Sequence, residues 1–210
     1  DQRWAPFADR VRAMADAVHD ANAQTGGHSL YVANCTADSL HFLERAYQAE
    51  ELGADGIMAA PGLVGFSMVK ALADAPDFHL PIFLHPCFSG GFVQHEDTGI
   101  APYCYYGQLS RLAGADAVIF TSFGGRFVHS EEDCALIAAS LSTPMNYVKT
   151  AFPVPSGGMK WQLFPRMCRV YGPNSIFLVG GALQTEGPDL TANTKFFLEK
   201  LREAVSQQRW

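Results

Sequence analysis

The chain has 210 residues, of which 48% are hydrophobic and 17% charged, with a formal net charge of −6. This length and composition suit one domain with a sizeable core and argue against disorder, and the acidic balance argues against a broad nucleic-acid surface. No apolar run reaches the roughly 18 to 20 residues of a membrane span, and no secretory signal precedes the first helical pattern.

The periodicity predicts a helix over Pro6–Gln24, with Phe7, Val11, Met14, Ala15 and Val18 on one face and Gly26-Gly27 as its stop. A short strand at Ser29–Ala33 ends in Asn34, and Thr36 reads as the N-cap of a second helix through Leu52, closed by Gly53. The unit then recurs. A strand at Gly56–Ala60 meets a Pro-Gly turn and a helix over Val64–Ala73. A strand at Pro81–His85 is followed by a long loop rich in Gly, Pro and aromatics, then a helix around Tyr106–Ala113. Ala117–Phe120 reads as a strand, with a loop through Arg126 and a helix from Ser130. Tyr147–Phe152 reads as a strand running into the loop Pro153–Gly158, with a helix near Leu163–Tyr171. The last strand is Ser175–Val179, ending in Gly180-Gly181, and the final helix covers Thr191–Val205.

Near-continuously apolar strands alternating with helices indicate a parallel sheet covered by helices, an α/β fold. Six strands could make an open doubly wound sheet, but they cannot close an eight-stranded barrel. The helix that comes before any strand implies a preceding strand upstream of Asp1. The five cysteines (Cys35, Cys87, Cys104, Cys134, Cys168) include no CxxC pair and read as reduced, mostly buried thiols of a cytoplasmic protein.

Candidate chemistry lies just after each strand. Gly157-Gly158 and Gly180-Gly181 follow consecutive strands, where glycine lets backbone N–H groups approach an anion closely. One such pair alone reads as a tight turn. Two in succession, with the Ser156 hydroxyl beside one of them, favour phosphate binding. Arg126 follows Gly124-Gly125 and reads equally as a charged lid or as a solvated surface residue. His85 ends an apolar strand, where a histidine either moves protons or serves as a hydrogen-bonded structural residue. Asn34 could orient a substrate oxygen. His41, His95 and His129 are isolated and read as surface residues. Glu131-Glu132-Asp133 opens a helix, where carboxylates favour the dipole. There is no GxSxG elbow, Walker A loop, HExxH or clean GxGxxG after a strand.

These strand ends resemble, in order, the large-subunit barrel of RuBisCO from beyond its second strand to its last helix. Arg3–Arg12 is similar to the segment after the family's carbamylated-lysine motif. Val32-Ala33-Asn34-Cys35-Thr36-Ala37 resembles the third-strand Asn-Ala-Thr-Ala. Pro153-Val154-Pro155-Ser156-Gly157-Gly158 followed by Pro165 resembles the seventh-strand loop, and Val179-Gly180-Gly181 the eighth. The resemblance implies an incomplete TIM (β/α)8 barrel, about strands 3 to 8, over residues 1–210, with the N-terminal domain and the first two strands absent. It also implies that Gly157, Gly158, Gly180 and Gly181 hold a substrate phosphate and that Ser156 contacts substrate. His85 falls on a family active-site histidine, and Arg126 on the mobile-loop lysine of carboxylating members.

The departures matter as much as the matches. Pro86 stands where carboxylases have an arginine for the second phosphate, Ser89 where they have a second histidine, and Ile119 where another histidine would help hold that phosphate. Losing such partners to a phosphate would cost roughly a thousandfold in affinity, at about 1.4 kcal/mol per decade. His85-Pro86-Cys87-Phe88-Ser89-Gly90 resembles instead the RuBisCO-like (form IV) proteins. The resemblance then implies a cytoplasmic homodimer acting on a phosphorylated small molecule by enolisation, isomerisation or decarboxylation, with Mg²⁺ held by ligands outside this chain and none within it. The competing expectations are a divergent ribulose-bisphosphate carboxylase and a catalytically incomplete phosphate-binding fragment.

Overall fold

A computed structural model describes residues 3–95, 97–125 and 129–208. The chain forms two compact units, Asp1–Gly90 with Leu112–Ala117, and Gly91–Arg111 with Val118–Trp210.

The first unit opens with α1 (Phe7–Thr25), which buries Phe7, Val11 and Ala15 and ends at Gly26 in the left-handed region, φ 67°. Strands β1 (Val32–Asn34), β2 (Gly56–Ala59) and β3 (Ile82–Leu84) pair in parallel, with Ala33 opposite Ile57 and Met58 opposite Phe83. Helix α2 (Ser39–Glu51) follows β1 and buries Phe42, Ala46 and Ala49. Its N-cap is Asp38, whose side chain accepts from the His41 N–H at 3.3 Å, and not Thr36. The Thr36 hydroxyl instead accepts from the Ala60 N–H at 3.1 Å, so it ties the end of β1 to the end of β2. The single helix expected over Val64–Ala73 is two, α3 (Pro61–Val64) and α4 (Phe66–Ala73). They are broken at Gly65, whose φ of 85° no helical residue adopts.

Helix α5 (Gly90–Val93) lies where the chain passes from the first unit to the second, inside the segment expected to be all loop. Beyond it, the helix expected near Tyr106 starts earlier and is π-wound over Tyr103–Leu109, then continues as α6 (Ser110–Leu112). The Ser140 hydroxyl donates to the Tyr103 carbonyl at 2.7 Å, and a Cβ on Gly107 would fall 1.5 Å from the same hydroxyl oxygen. The wide turn and its glycine therefore serve one close approach to α7 (Glu131–Ser142). Helix α7 starts with the capping box of Ser130 and Asp133.

The second unit's strands are β4 (Ala117–Thr121), whose first residue still belongs to the first unit, and β5 (Phe152–Ser156). β5 lies about five residues later than expected, and the Pro-Val-Pro-Ser stretch taken for loop is the strand itself. The sixth expected strand is reduced to one parallel bridge, Ser156 to Leu178. The prolines explain this. Ile176 and Leu178 donate to the carbonyls of Pro153 and Pro155 at 3.0 and 3.1 Å, but a proline has no N–H to return, so every second bond of the ladder is missing. Helices α8 (Phe164–Tyr171), α9 (Gly181–Thr185) and α10 (Leu190–Ser206) complete the unit. Its core gathers Phe120, Ile137, Leu141, Val154, Phe164, Met167 and Phe197.

Candidate active site

The expected residues fall at strand ends in both units. In the first, Asn34 ends β1 and is exposed; its Oδ1 accepts from the Thr36 N–H at 3.1 Å, which fixes the carboxamide and leaves its NH₂ as a donor. His85 follows β3 directly and is half-buried. Its own N–H donates to the Ala59 carbonyl at 2.8 Å, and its Nδ1 accepts from the Cys87 N–H at 3.1 Å. Burial pushes its pKa below the usual histidine value, so the neutral ring prevails.

The loop after His85 is tightly built. Pro86 carbonyl accepts both the Ser89 N–H at 3.1 Å and the Ser89 hydroxyl at 2.5 Å. Phe88 takes φ 66°, an uncommon conformation for a bulky residue, and is 70% exposed. Gly62 lies beneath: a Cβ there would be 2.9 Å from the Cys87 carbonyl oxygen.

In the second unit, Gly157 and Gly158 follow β5 with φ 78° and 69°. Positive φ at both positions makes a tight turn that glycine adopts without strain and leaves its backbone free of any Cβ. Their backbone touches the Gly124-Gly125 loop: a Cβ on Gly125 would be 2.4 Å from the Gly157 carbonyl oxygen, and one on Gly158 would be 2.6 Å from the Gly125 Cα. Glycine at 125 and 158 is therefore a requirement of the approach. Ser156 is buried, and its hydroxyl donates to the Phe120 carbonyl at 3.0 Å, so its proton is already committed within the protein. Gly180 and Gly181 are exposed, open α9, and have nothing within 4 Å of where a Cβ would stand. Arg126 lies outside the described residues.

His129 is buried at 9% exposure and not on the surface; its ring meets Tyr106 edge-on at 5.9 Å, and its Nε2 has no hydrogen-bond partner among the described residues. His41 and His95 are exposed, as expected. Cys35, Cys134 and Cys168 are buried, Cys87 is exposed, and all five thiols are free; burial pushes the Cys35 thiol up to about 12.

Sequence reasoning missed the Cys87 N–H on His85, although the Pro after the histidine hinted that position 87 supplies the first available donor. It also missed the buried bond between the Ser122 and Tyr171 hydroxyls, 2.7 Å, for which no motif exists. Among the described residues no group of three or more His, Cys, Asp or Glu side chains could hold a metal ion, so these residues do not by themselves fit Mg²⁺. No helix among them is long and apolar enough to cross a membrane.

Comparison with known proteins is consistent across sequence and structure. Residues 1–187 match the family model of the ribulose bisphosphate carboxylase large chain, catalytic domain. The chain is 36% identical over 208 residues to the 5-methylthioribulose-1-phosphate isomerase of Rhodospirillum rubrum, covering 99% of this chain and 54% of that protein. It is 34% identical over 183 residues to the 2,3-diketo-5-methylthiopentyl-1-phosphate enolase of Geobacillus thermodenitrificans, covering 87% of this chain and 44% of the other. A RuBisCO-like protein from Alicyclobacillus acidocaldarius superposes with a TM-score of 0.90 at 29% identity, over 100% of this chain and 53% of that one. The carboxylase/oxygenase of Pyrococcus horikoshii superposes with a TM-score of 0.92 over 100% of this chain and 50% of that one; at 21% identity it shows the shared barrel fold alone. The chain thus spans about half the length of the relatives it matches. Its strand ends, its glycine loops and these matches together place the chain in the RuBisCO large-chain family, on the RuBisCO-like (form IV) branch, as a portion of the catalytic barrel.

Proposed function

We propose that the protein is a RuBisCO-like enzyme that forms an enolate from a phosphorylated keto compound, as an enolase or isomerase, without fixing CO₂. The observation that carries this reading is the identity of 33 to 36% to proteins named as an isomerase and as enolases of methylthio-sugar phosphates. Both reaction classes remove a proton from carbon next to a carbonyl, and the negative charge that develops on oxygen needs donors aimed at it.

The chain's own residues divide that work. The N–H groups of Gly157, Gly158, Gly180 and Gly181 grip the phosphate, which the absence of a Cβ lets approach the backbone closely. Ser156, with its proton given to the Phe120 carbonyl, positions this loop. Asn34 and His85 present side-chain N–H donors to substrate oxygens, and Arg126, by the same family resemblance, supplies a cation to the substrate. By family resemblance the protein works as a homodimer.

The second reading, a ribulose-bisphosphate carboxylase, is disfavoured where a second phosphate would need partners. Pro86 has no side-chain donor, the Ser89 hydroxyl is spent on the Pro86 carbonyl, and Ile119 is buried in β4 at 2% exposure.

The test is deuterium exchange in D₂O, followed by NMR, at the carbon next to the carbonyl of phosphorylated ketoses and diketones, using the intact protein. Exchange on a monophosphate, with no ¹⁴CO₂ fixed on ribulose bisphosphate, is expected. Carbon fixation, or exchange on none of these compounds, would sink the proposal.

A further inference from the structure

Pro86 has no N–H, so the first main-chain donor after His85 is Cys87, and it is aimed at the histidine's Nδ1 at 3.1 Å. Three features hold it there. The Ser89 N–H and hydroxyl both close onto the Pro86 carbonyl. Phe88 occupies its left-handed conformation at φ 66°. Gly62 admits the Cys87 carbonyl oxygen at 2.9 Å from its missing Cβ, a distance that a side chain would forbid, and the Phe88 carbonyl at a tight 3.1 Å. An amide N–H can only donate, so Nδ1 must present a lone pair. The proton of the neutral ring is then on Nε2.

We infer that the Cys87 N–H locks His85 as the Nε2–H tautomer, so that His85 serves as a neutral hydrogen-bond donor to the substrate's carbonyl oxygen as it becomes an enolate, and not as the base that takes the carbon-bound proton. The donor role rests on the proposed function; the tautomer rests on the loop alone. A base at Nε2 would need its lone pair there and hence a proton on Nδ1, facing the Cys87 hydrogen. In the donor role the Nε2 proton stays on the ring, the carbon-bound proton leaves to a different base, and the electron pair it leaves behind resides on the oxygen that His85 contacts. Desolvation of the half-buried ring supports the same assignment, since it disfavours imidazolium.

The test has two arms on the intact protein. ¹⁵N-histidine NMR of the substrate-free protein, with the His85 signals assigned by their loss in His85→Gln, should show a pyrrole-type Nε2 and a pyridine-type Nδ1. The reverse pattern overturns the inference whether or not a substrate is known. In the exchange assay, His85→Ala should lose about 10²- to 10³-fold in kcat, the range for one oxyanion donor. His85→Gln, which keeps a neutral N–H donor, should recover at least tenfold of that loss. If Gln is as inactive as Ala while unfolding at the same urea midpoint, the donor role fails. If the tautomer is as expected and no phosphorylated keto compound exchanges, the proposed function and the donor role fall together while the locked tautomer stands.

Discussion

At the scale of single residues, Phe88 is the clearest conflict between a side chain and its backbone. The left-handed region costs an L-residue about 1–2 kcal/mol, and its exposed ring returns little by burial. Glycine would remove that cost and give back about 0.5–1 kcal/mol through the freedom of the unfolded chain. Phe88→Gly should therefore raise stability by up to about 1 kcal/mol, whereas the β-branched Phe88→Val should lower it by a similar amount. Urea midpoints decide the matter, and a valine variant as stable as the parent would contradict it. Little of this was legible beforehand. A phenylalanine in a Pro-Cys-Phe-Ser-Gly run signals a turn, but only the Gly62 approach and the Ser89 closure make the left-handed residue unavoidable. His85 itself was legible as a strand-end histidine, because an apolar strand stopping at a polar residue marks where such a fold does chemistry. Its tautomer was not, because it depends on the path of the loop.

Among the elements, the junction of the π-helical turn with α6 rests on Arg111. The residue is 3% exposed, and its guanidinium donates to four main-chain carbonyls: Ser140 and Thr143 at 2.8 Å, Lys149 at 2.8 Å and Val148 at 3.1 Å. It thereby closes the end of α7 and the loop leading towards β5, whose carbonyls have no helix or sheet to satisfy them. Arg111→Met should destabilise the protein by about 3–5 kcal/mol, since it strands several acceptors at once. Arg111→Lys should recover only part, because one ammonium cannot reproduce the planar fork. Chemical denaturation reads both, and a methionine variant within about 1 kcal/mol of the parent would refute the role. A helical pattern with one arginine gives no hint of this, because the partners are backbone groups some thirty residues away. The apolar strands β2, β3 and β4 were read nearly in place, whereas β1 begins three residues later than expected, at Val32, and includes Asn34. β5 was displaced because prolines ordinarily argue against a strand, and here they spare the side facing β4 and weaken only the partner at Leu178.

For the whole molecule, the balance of titrating histidines sets how stability responds to acid. Burial lowers the pKa of His85, and burial also lowers that of His129, against a smaller opposing pull from Asp133. A lowered folded-state value means that, as pH falls below the unfolded value of about 6.5, the unfolded chain takes up protons that the folded chain refuses. Stability is then complete above that value and declines below it, until the folded-state pKa is reached, with a slope of at most about 1.4 kcal/mol per pH unit for each group. His41 acts in the opposite sense. Its hydrogen bond to Asp38 raises its pKa, so its contribution is present below 6.5 and lost above it, but both partners are fully exposed to solvent. The half-buried His85 and the buried His129 should therefore prevail, and unfolding at pH 6 should be accompanied by net proton uptake. His129→Phe isolates one of them. It keeps the edge-on contact with Tyr106 and removes the Nε2 that lacks a partner among the described residues, so it should leave stability at pH 7 unchanged or higher by about 1–2 kcal/mol. It should also flatten the decline between pH 6.5 and 5.5. Calorimetric unfolding in buffers of different ionisation enthalpy counts the protons directly, and an unchanged count in the variant would show that His129 titrates alike in the folded and unfolded chain.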